Sequence, residues 1–378
     1  MSDLPPPEPS SRPRVVVLFG GRSSEHAISC VTAGSVLAAV DRDRYDVLPV
    51  GITSDGRWVL EVDDASRFAI AADGTLPAVD ASRPSVAVNS DGYRPTLEIH
   101  AAGRPPESLG VIDVVLPLLH GPWGEDGTIQ GFLETNDLRY VGAGVLASAV
   151  GMDKHYMKVV LEGAGLPILP YVVLPERRWS SDRAGCREAV EKLGLPVFVK
   201  PCRGGSSIGI SKVHDLTALD EAVEEARRWD PKVVVEASAG AGAREVECGV
   251  LEGSAAPEAS VVAEITVADE HDFYDFAAKY LPGEHTRVDV PADLDEESAT
   301  RVKALAVEAF EALSCEGLAR VDFFVLPDGR VVVNEVNTMP GFTPTSMFPQ
   351  VWAASGVAYP ELVDRLLQLA LRRATGLR

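Results

Sequence analysis

The chain has 378 residues, 46% of them hydrophobic and 24% charged, with a formal net charge of −21. That length exceeds what a single hydrophobic core serves and calls for two or three domains. The negative balance argues against nucleic acid or an anionic membrane as partner, and any phosphate site must be locally basic. The five cysteines (Cys30, Cys186, Cys202, Cys248, Cys315) are scattered and form no Cys-x-x-Cys pair. An odd, dispersed set suits a reducing cytosol and speaks against structural zinc. Residues 1–13 are polar and proline-rich with no apolar signal core, and no apolar run of about 18 residues follows. A soluble, cytoplasmic protein with a disordered tip at 1–13 is expected.

Residues 14–19 read as a buried strand ending in Gly20-Gly21-Arg22-Ser23-Ser24-Glu25-His26, with a helical pattern from about Ala27 to Val40. This resembles a dinucleotide-binding opening, but the third glycine of Gly-x-Gly-x-x-Gly is absent. What survives is a helix N-terminus facing a small anion, with Glu25 and His26 nearby. Strands follow at 45–52 and 111–119, and the Asp-, Ser-, Pro- and Gly-rich region from 63 to 106 reads as loop. The third strand ends in His120-Gly121-Pro122-Trp123-Gly124-Glu125-Asp126-Gly127, at the kind of strand end where open α/β sheets bind ligands. Alone, His120 suits a site residue or a satisfied loop histidine equally. Glu125 and Asp126 favour the start of a helix at 128–135. A long helical pattern from 145 to 162 carries Asp153-Lys154 and stops at Gly163-Ala164-Gly165.

Strands at 166–174 and 195–199 flank a helix at 186–193. Lys200 then precedes Pro201-Cys202-Arg203-Gly204-Gly205-Ser206-Ser207, which suits a phosphate clamp, since glycines admit close backbone approach and N–H and hydroxyl groups donate to phosphate. It is not a P-loop, because the lysine precedes the glycines. With a strand at 210–213, the segment becomes a hairpin tip over a nucleotide. After an amphipathic helix at 216–229, the strand 232–235 runs into Glu236-Ala237, read as an edge for an adenine ring. Strands at 244–251 and 260–267 look antiparallel. Residues 269–285, with Lys279-Tyr280, have the irregular character of a mobile lid. A helix begins at Asp293, and another covers 361–373.

Residues 317–326 and 331–337 are β-rich runs flanking Asp328-Gly329, a strong hairpin signal. With those two residues as the turn, Asp322 faces Glu335 and Arg320 faces Asn337, all on one face. Carboxylates opposite one another repel unless compensated. Two carboxylates and an amide oxygen are what a hard divalent cation takes, and Arg320 beside them suits an oxyanion. The alternative is a solvated face with Arg320 paired to one acid; against it, the register also puts Phe324, Leu326, Val331 and Val333 on that face.

Taken in order, Gly20-Gly21-x-Ser23-x-Glu25, His120-Gly121-x-x-Gly124-Glu125-Asp126-Gly127, Met152-Asp153-Lys154, Lys200-Pro201-x-Arg203-x-Gly205-Ser206-Ser207, Lys279-Tyr280, Arg320-x-Asp322 and Glu335-x-Asn337-x-x-Pro340-Gly341 resemble the D-alanine–D-alanine ligase family of the ATP-grasp superfamily, over almost the whole chain. The resemblance implies an α/β (α+β) protein of three domains: an N-terminal open parallel α/β domain (14–150), then a central (151–238) and a C-terminal (239–378) α+β domain clasping ATP. It implies ATP phosphates at Lys154, Lys200 and Ser207, adenine at Glu236 and Ala237, ribose at Glu245, and the γ-phosphate at Lys279. Two Mg²⁺ ions, replaceable by Mn²⁺, would sit at Asp322, Glu335 and Asn337. Glu25 would fix the first D-alanine's ammonium near His120, with Ser206 and Tyr280 in the same hydrogen-bonded group. Arg320 and the Gly341 N–H would face the developing oxyanion, and Ser346 and Met347 the second substrate's carboxylate. A homodimer is implied as well.

Tyr280 after the lid lysine resembles the dipeptide-forming type, and an ester-forming D-alanine–D-lactate ligase is the alternative. The segment 60–108 departs from the family as a longer insertion. A nucleotide-binding regulator would have no need of Arg320, Gly341 and Ser346 together. Carboxylases and purine-pathway ligases lack the Ser23-x-Glu25 and His120 motifs.

Overall fold

The structure is a computed structural model that describes residues 12–90, 94–101, 103–205, 208–267 and 286–376. The expected tip through residue 11, the lid stretch 269–285, and with them Ser206, Ser207, Lys279 and Tyr280, lie outside the described residues. The chain forms two compact units, one built from 1–145, 341–349 and 356–378, the other from 146–340 and 350–355.

The first unit opens with β1 (Arg14–Gly20), α1 (His26–Ala39), β2 (Asp46–Ile52), β3 (Trp58–Leu60), β4 (Ser85–Asn89), β5 (Thr96–His100), β6 (Glu107–Val111), β7 (Val114–Pro117) and α2 (Thr128–Thr135). The strands form one sheet in the order β6-β5-β4-β3-β2-β1-β7. β1 runs parallel to β2 and β7, and the strands beyond β2 are antiparallel. The expected open parallel sheet is therefore mixed, and two strands of the extension, β4 and β5, lie inside the region read as loop. Its turn-rich composition conceals one-sided strands that bury little beyond Val86 and Leu97.

The second unit begins with α3 (Val145–Met152), α4 (Lys154–Gly163), β8 (Tyr171–Pro175), α5 (Glu176–Ser181), α6 (Arg183–Glu191), β9 (Val197–Pro201), β10 (Ser211–Val213), α7 (Leu219–Arg227) and β11 (Lys232–Ala237). These strands form an antiparallel sheet, β10-β9-β11-β8. A second antiparallel sheet, β14-β13-β12-β15-β16, is built from β12 (Arg244–Leu251), β13 (Glu258–Val267), β14 (Thr286–Asp289), β15 (Leu318–Val325) and β16 (Val331–Asn337), with α8 (Glu296–Ala312) packed on it. Then come α9 (Met347–Ala354) and α10 (Tyr359–Arg372). α10 completes the first unit: Asp364 accepts a hydrogen bond from Tyr45 Oη at 2.6 Å, and Gln368 donates to the same hydroxyl at 2.6 Å.

Three expectations change. The long helix at 145–162 is two helices, because Asp153 turns extended and caps α4, accepting from His155 and Tyr156 N–H at 3.1 and 3.3 Å. β11 is an interior strand between β9 and β8, so Glu236-Ala237 is not a sheet edge. In the hairpin, the loop is Pro327-Asp328-Gly329: Leu326 N–H bonds to Arg330 O, and Gly329 is left-handed at φ +83°. That shifts the register by one, and a bulge at Asn334 shifts it back, so Asp322 still faces Glu335 and Arg320 still faces Asn337. Val333 and Val331 instead pair with Phe323 and Val325, away from the face assigned to them.

Candidate active site

In the first unit, β1 and β7 are parallel neighbours, so the turns after them meet at one sheet edge. Ser23 Oγ donates to His120 O at 2.7 Å and accepts from Glu25 N–H at 3.2 Å. Glu25 and His120 are both buried. A Cβ on Gly121, which has φ +72°, would lie 2.5 Å from Glu25 Oε2, so only glycine lets the two turns close. Glu125 accepts from Gly121 N–H at 2.5 Å, and Asp126 from Thr128 N–H at 3.0 Å at the start of α2. The same unit holds the loop before α9. There a Cβ on Gly341 would meet Ser346 Oγ at 3.1 Å, and Ser346 Oγ accepts from Thr343 N–H at 3.1 Å. Gly341 and Ser346 are thus brought together, with Met347 opening α9.

In the second unit, the break at Asp153 sets Lys154 at the head of α4, its N–H donating to Cys202 O at 2.9 Å. Its ammonium lies 3.1 Å from Glu335 and donates to Gly204 O at 3.2 Å, joining the glycine loop to the β16 carboxylate. Burial lowers the Lys154 pKa, but Glu335 and Glu236 outweigh it and the net shift is upward. Lys200, near the end of β9, is 2.6 Å from Glu236, whose other oxygen is 3.1 Å from the fully buried Lys158. Burial raises the Glu236 pKa, yet the two lysines bring it down to about 2. Ala237 ends β11 with its N–H committed to Pro170 O.

The second sheet supplies the carboxylate face. Glu245, Glu247 and Gly249 on β12 stand opposite Phe324, Asp322 and Arg320 on β15, and Asp322 and Arg320 opposite Glu335 and Asn337 on β16. Directly opposed residues share a face. Arg320 binds Asp322 in fork geometry, with Nε and Nη2 donating to its two oxygens at 2.7 Å each. Glu247 lies 2.9 Å from the same Nε. Asn337 Nδ2 donates to Asp322 at 3.1 Å. Burial lowers the Arg320 pKa, but Asp322 and Glu247 raise it further, so the guanidinium is always charged.

The alternative reading was half right: Arg320 does pair with an acid, but on a buried face. Lys158 and Glu247 were missed. Lys158 was legible as the next turn of the helix bearing Lys154, and Glu247 as the residue two beyond Glu245 on the same strand face. Four carboxylates (Glu236, Glu247, Asp322, Glu335) and four cations (Lys154, Lys158, Lys200, Arg320) thus offset one another. No cage of three His, Cys, Asp or Glu groups exists among the described residues. Two carboxylates and an amide oxygen nonetheless fit a hard cation that leaves positions to water and phosphate.

Comparison with known proteins accounts for both units. The family model described as D-ala D-ala ligase N-terminus matches residues 14–143, and that described as D-ala D-ala ligase C-terminus matches 160–368. A D-alanine–D-alanine ligase of Pseudarthrobacter chlorophenolicus is 56% identical over 100% of this chain and 99% of its own. One from Streptomyces coelicolor is 56% identical over 97% and 95%. Among solved structures, the D-alanine–D-alanine ligase of Coxiella burnetii superposes with a TM-score of 0.78 at 34% identity, covering 96% of this chain and 94% of that one. The VanG D-Ala:D-Ser ligase of Enterococcus faecalis gives 0.80 at 31% identity, covering 95% and 99%. The chain therefore belongs to the D-alanine–D-alanine ligase family, and it is an enzyme with the ATP-grasp ligase fold.

Proposed function

We propose that the enzyme joins two D-alanines into D-alanyl-D-alanine, converting ATP to ADP and phosphate through a D-alanyl phosphate, for peptidoglycan synthesis. The observation that carries this reading is the Arg320–Asp322–Glu335–Asn337 face with Lys154 and Lys200 locked to its carboxylates and to Glu236.

A carboxylate oxygen of the first D-alanine attacks the γ-phosphorus while the bond to ADP breaks. The amine of the second then adds to the acyl carbon, loses its proton, and phosphate departs. Both first-step reactants are anions, so their approach needs compensating positive charge. Lys154 and Lys200 supply it at the phosphates, with Ser207 in the glycine loop and Lys279 at the γ-phosphate. Adenine is assigned to Glu236 and Ala237, and the ribose to Glu245. Asp322, Glu335 and Asn337 would hold Mg²⁺, with Mn²⁺ as substitute, and such ions neutralise phosphate charge. Glu25 orients the first ammonium beside His120, and Ser206 and Tyr280 complete that group. Arg320 and the Gly341 N–H donate to the oxyanion as the second bond forms. Ser346 and Met347 receive the second carboxylate.

The division into 14–150, 151–238 and 239–378 is supported by a separate sheet in each interval. Cytoplasmic location and a homodimer follow the family; among the described residues no helix is long and apolar enough to cross a membrane. Sedimentation tests the dimer.

The decisive assay is phosphate release from ATP and Mg²⁺ with D-alanine, L-alanine or no amino acid, and with D-alanine plus D-lactate or D-serine while products are identified. Release that depends on D-alanine, with D-alanyl-D-alanine as product in every mixture, is expected. Ester or D-alanyl-D-serine would overturn the specificity and the weight placed on Tyr280. Absence of D-alanine-dependent release would overturn the reaction.

A further inference from the structure

We propose that Glu247 is a positioning residue that takes over Arg320 when a divalent cation claims Asp322, an inference that rests on the metal role proposed for Asp322. The side chain of Arg320 is 14% exposed, and a buried guanidinium requires a carboxylate partner at every stage. Both oxygens of Asp322 are engaged by Arg320, and one also accepts from Asn337. A cation binding Asp322 therefore competes with Arg320 for its charge.

Glu247 is placed to ease that competition. It stands directly opposite Asp322 on β12, with its side chain 8% exposed, and its Oε2 lies 2.9 Å from Arg320 Nε. The single Nε hydrogen is directed at Asp322. Glu247 thus contributes charge already, and the Nε–H hydrogen bond is redirected to it when Asp322 turns away. Of the other carboxylates on this face, Glu335 is bound to Lys154 and assigned to the metal as well, and Glu245 stands opposite Phe324, further along the strand from Arg320, so neither is a substitute. Without the Glu247 charge, Arg320 has Asp322 as its principal counter-charge and holds it against the cation. Loss of an outer partner of this kind weakens metal binding about tenfold to a hundredfold.

The test is Mn²⁺ binding, followed by electron paramagnetic resonance, to the wild type, Glu247→Gln, Arg320→Gln and the double variant, each with a non-hydrolysable ATP analogue. Thermal unfolding reports the fold of each. Glu247→Gln should bind Mn²⁺ about tenfold to a hundredfold more weakly. Because Glu247 acts through Arg320, adding Glu247→Gln to Arg320→Gln should cost no further Mn²⁺ affinity. That comparison stands even where the single Glu247 variant fails to fold. Equal Mn²⁺ affinity in folded Glu247→Gln, or a further loss in the double variant, overturns the proposal alone. A wild type that takes up no Mn²⁺ with the analogue overturns the metal assignment and the proposal with it.

Discussion

Arg320 illustrates how a side chain is read through its neighbours. Its alternation with Asp322 was legible from strand period, and Glu247 was within reach of the same argument as the residue two beyond Glu245, although its contact with Arg320 crosses from another strand. If Arg320 is the oxyanion donor proposed above, its change to Ala should lower kcat on the order of 10²-fold or more, while nucleotide still binds; steady-state turnover with a separate nucleotide titration checks this. Glu236 makes a pH-dependent contribution. Its folded pKa of about 2 lies below the ordinary 4.5, so its stabilisation is complete above about 4.5 and fades as pH falls toward 2. Glu236→Gln should therefore cost roughly 3–5 kcal/mol at neutral pH. In urea melts the gap to the parent should narrow as the pH is lowered through the acid range. A constant gap would mean that the ionised carboxylate is not what stabilises the fold there.

Strands and helices with a clear apolar pattern were legible: α1, α2, α10 and the β12–β13 pair lie close to where the pattern puts them. What escaped was decided by local backbone chemistry. The hairpin register at the site came out correctly through two compensating features, a longer turn and a bulge at Asn334, neither of which the hydrophobic pattern encodes. The helix break at Asp153 depends on a cap inside an unbroken helical pattern. Asp153→Ala should cost about 1 kcal/mol for the cap, more with loss of its 2.5 Å pair to Lys232, and should raise the KM for ATP by shifting Lys154. Gly329 stands at φ +83° in open space. Its change to Ala should cost about 1–2 kcal/mol through left-handed backbone alone, with kcat unchanged; thermal melts and turnover on one preparation separate the two effects.

Across the whole molecule, a net charge of −21 coexists with a cluster of eight ionised groups, around the proposed nucleotide site, that offset one another. Among the described residues this cluster presents no excess of positive charge to be screened. Nucleotide affinity should therefore change by less than about threefold between roughly 0.05 and 0.2 M salt; a steep fall in calorimetric titrations would contradict the pairing. The order of the chain through the two units also bears on synthesis. Apart from residues 350–355, the second unit is complete by residue 340, while the first still lacks α10, which follows at Tyr359–Arg372. Tyr45, made early, meets Asp364 and Gln368 only then. On the ribosome, residues 146–340 can therefore pack on one another before α10 is available to seal the first unit.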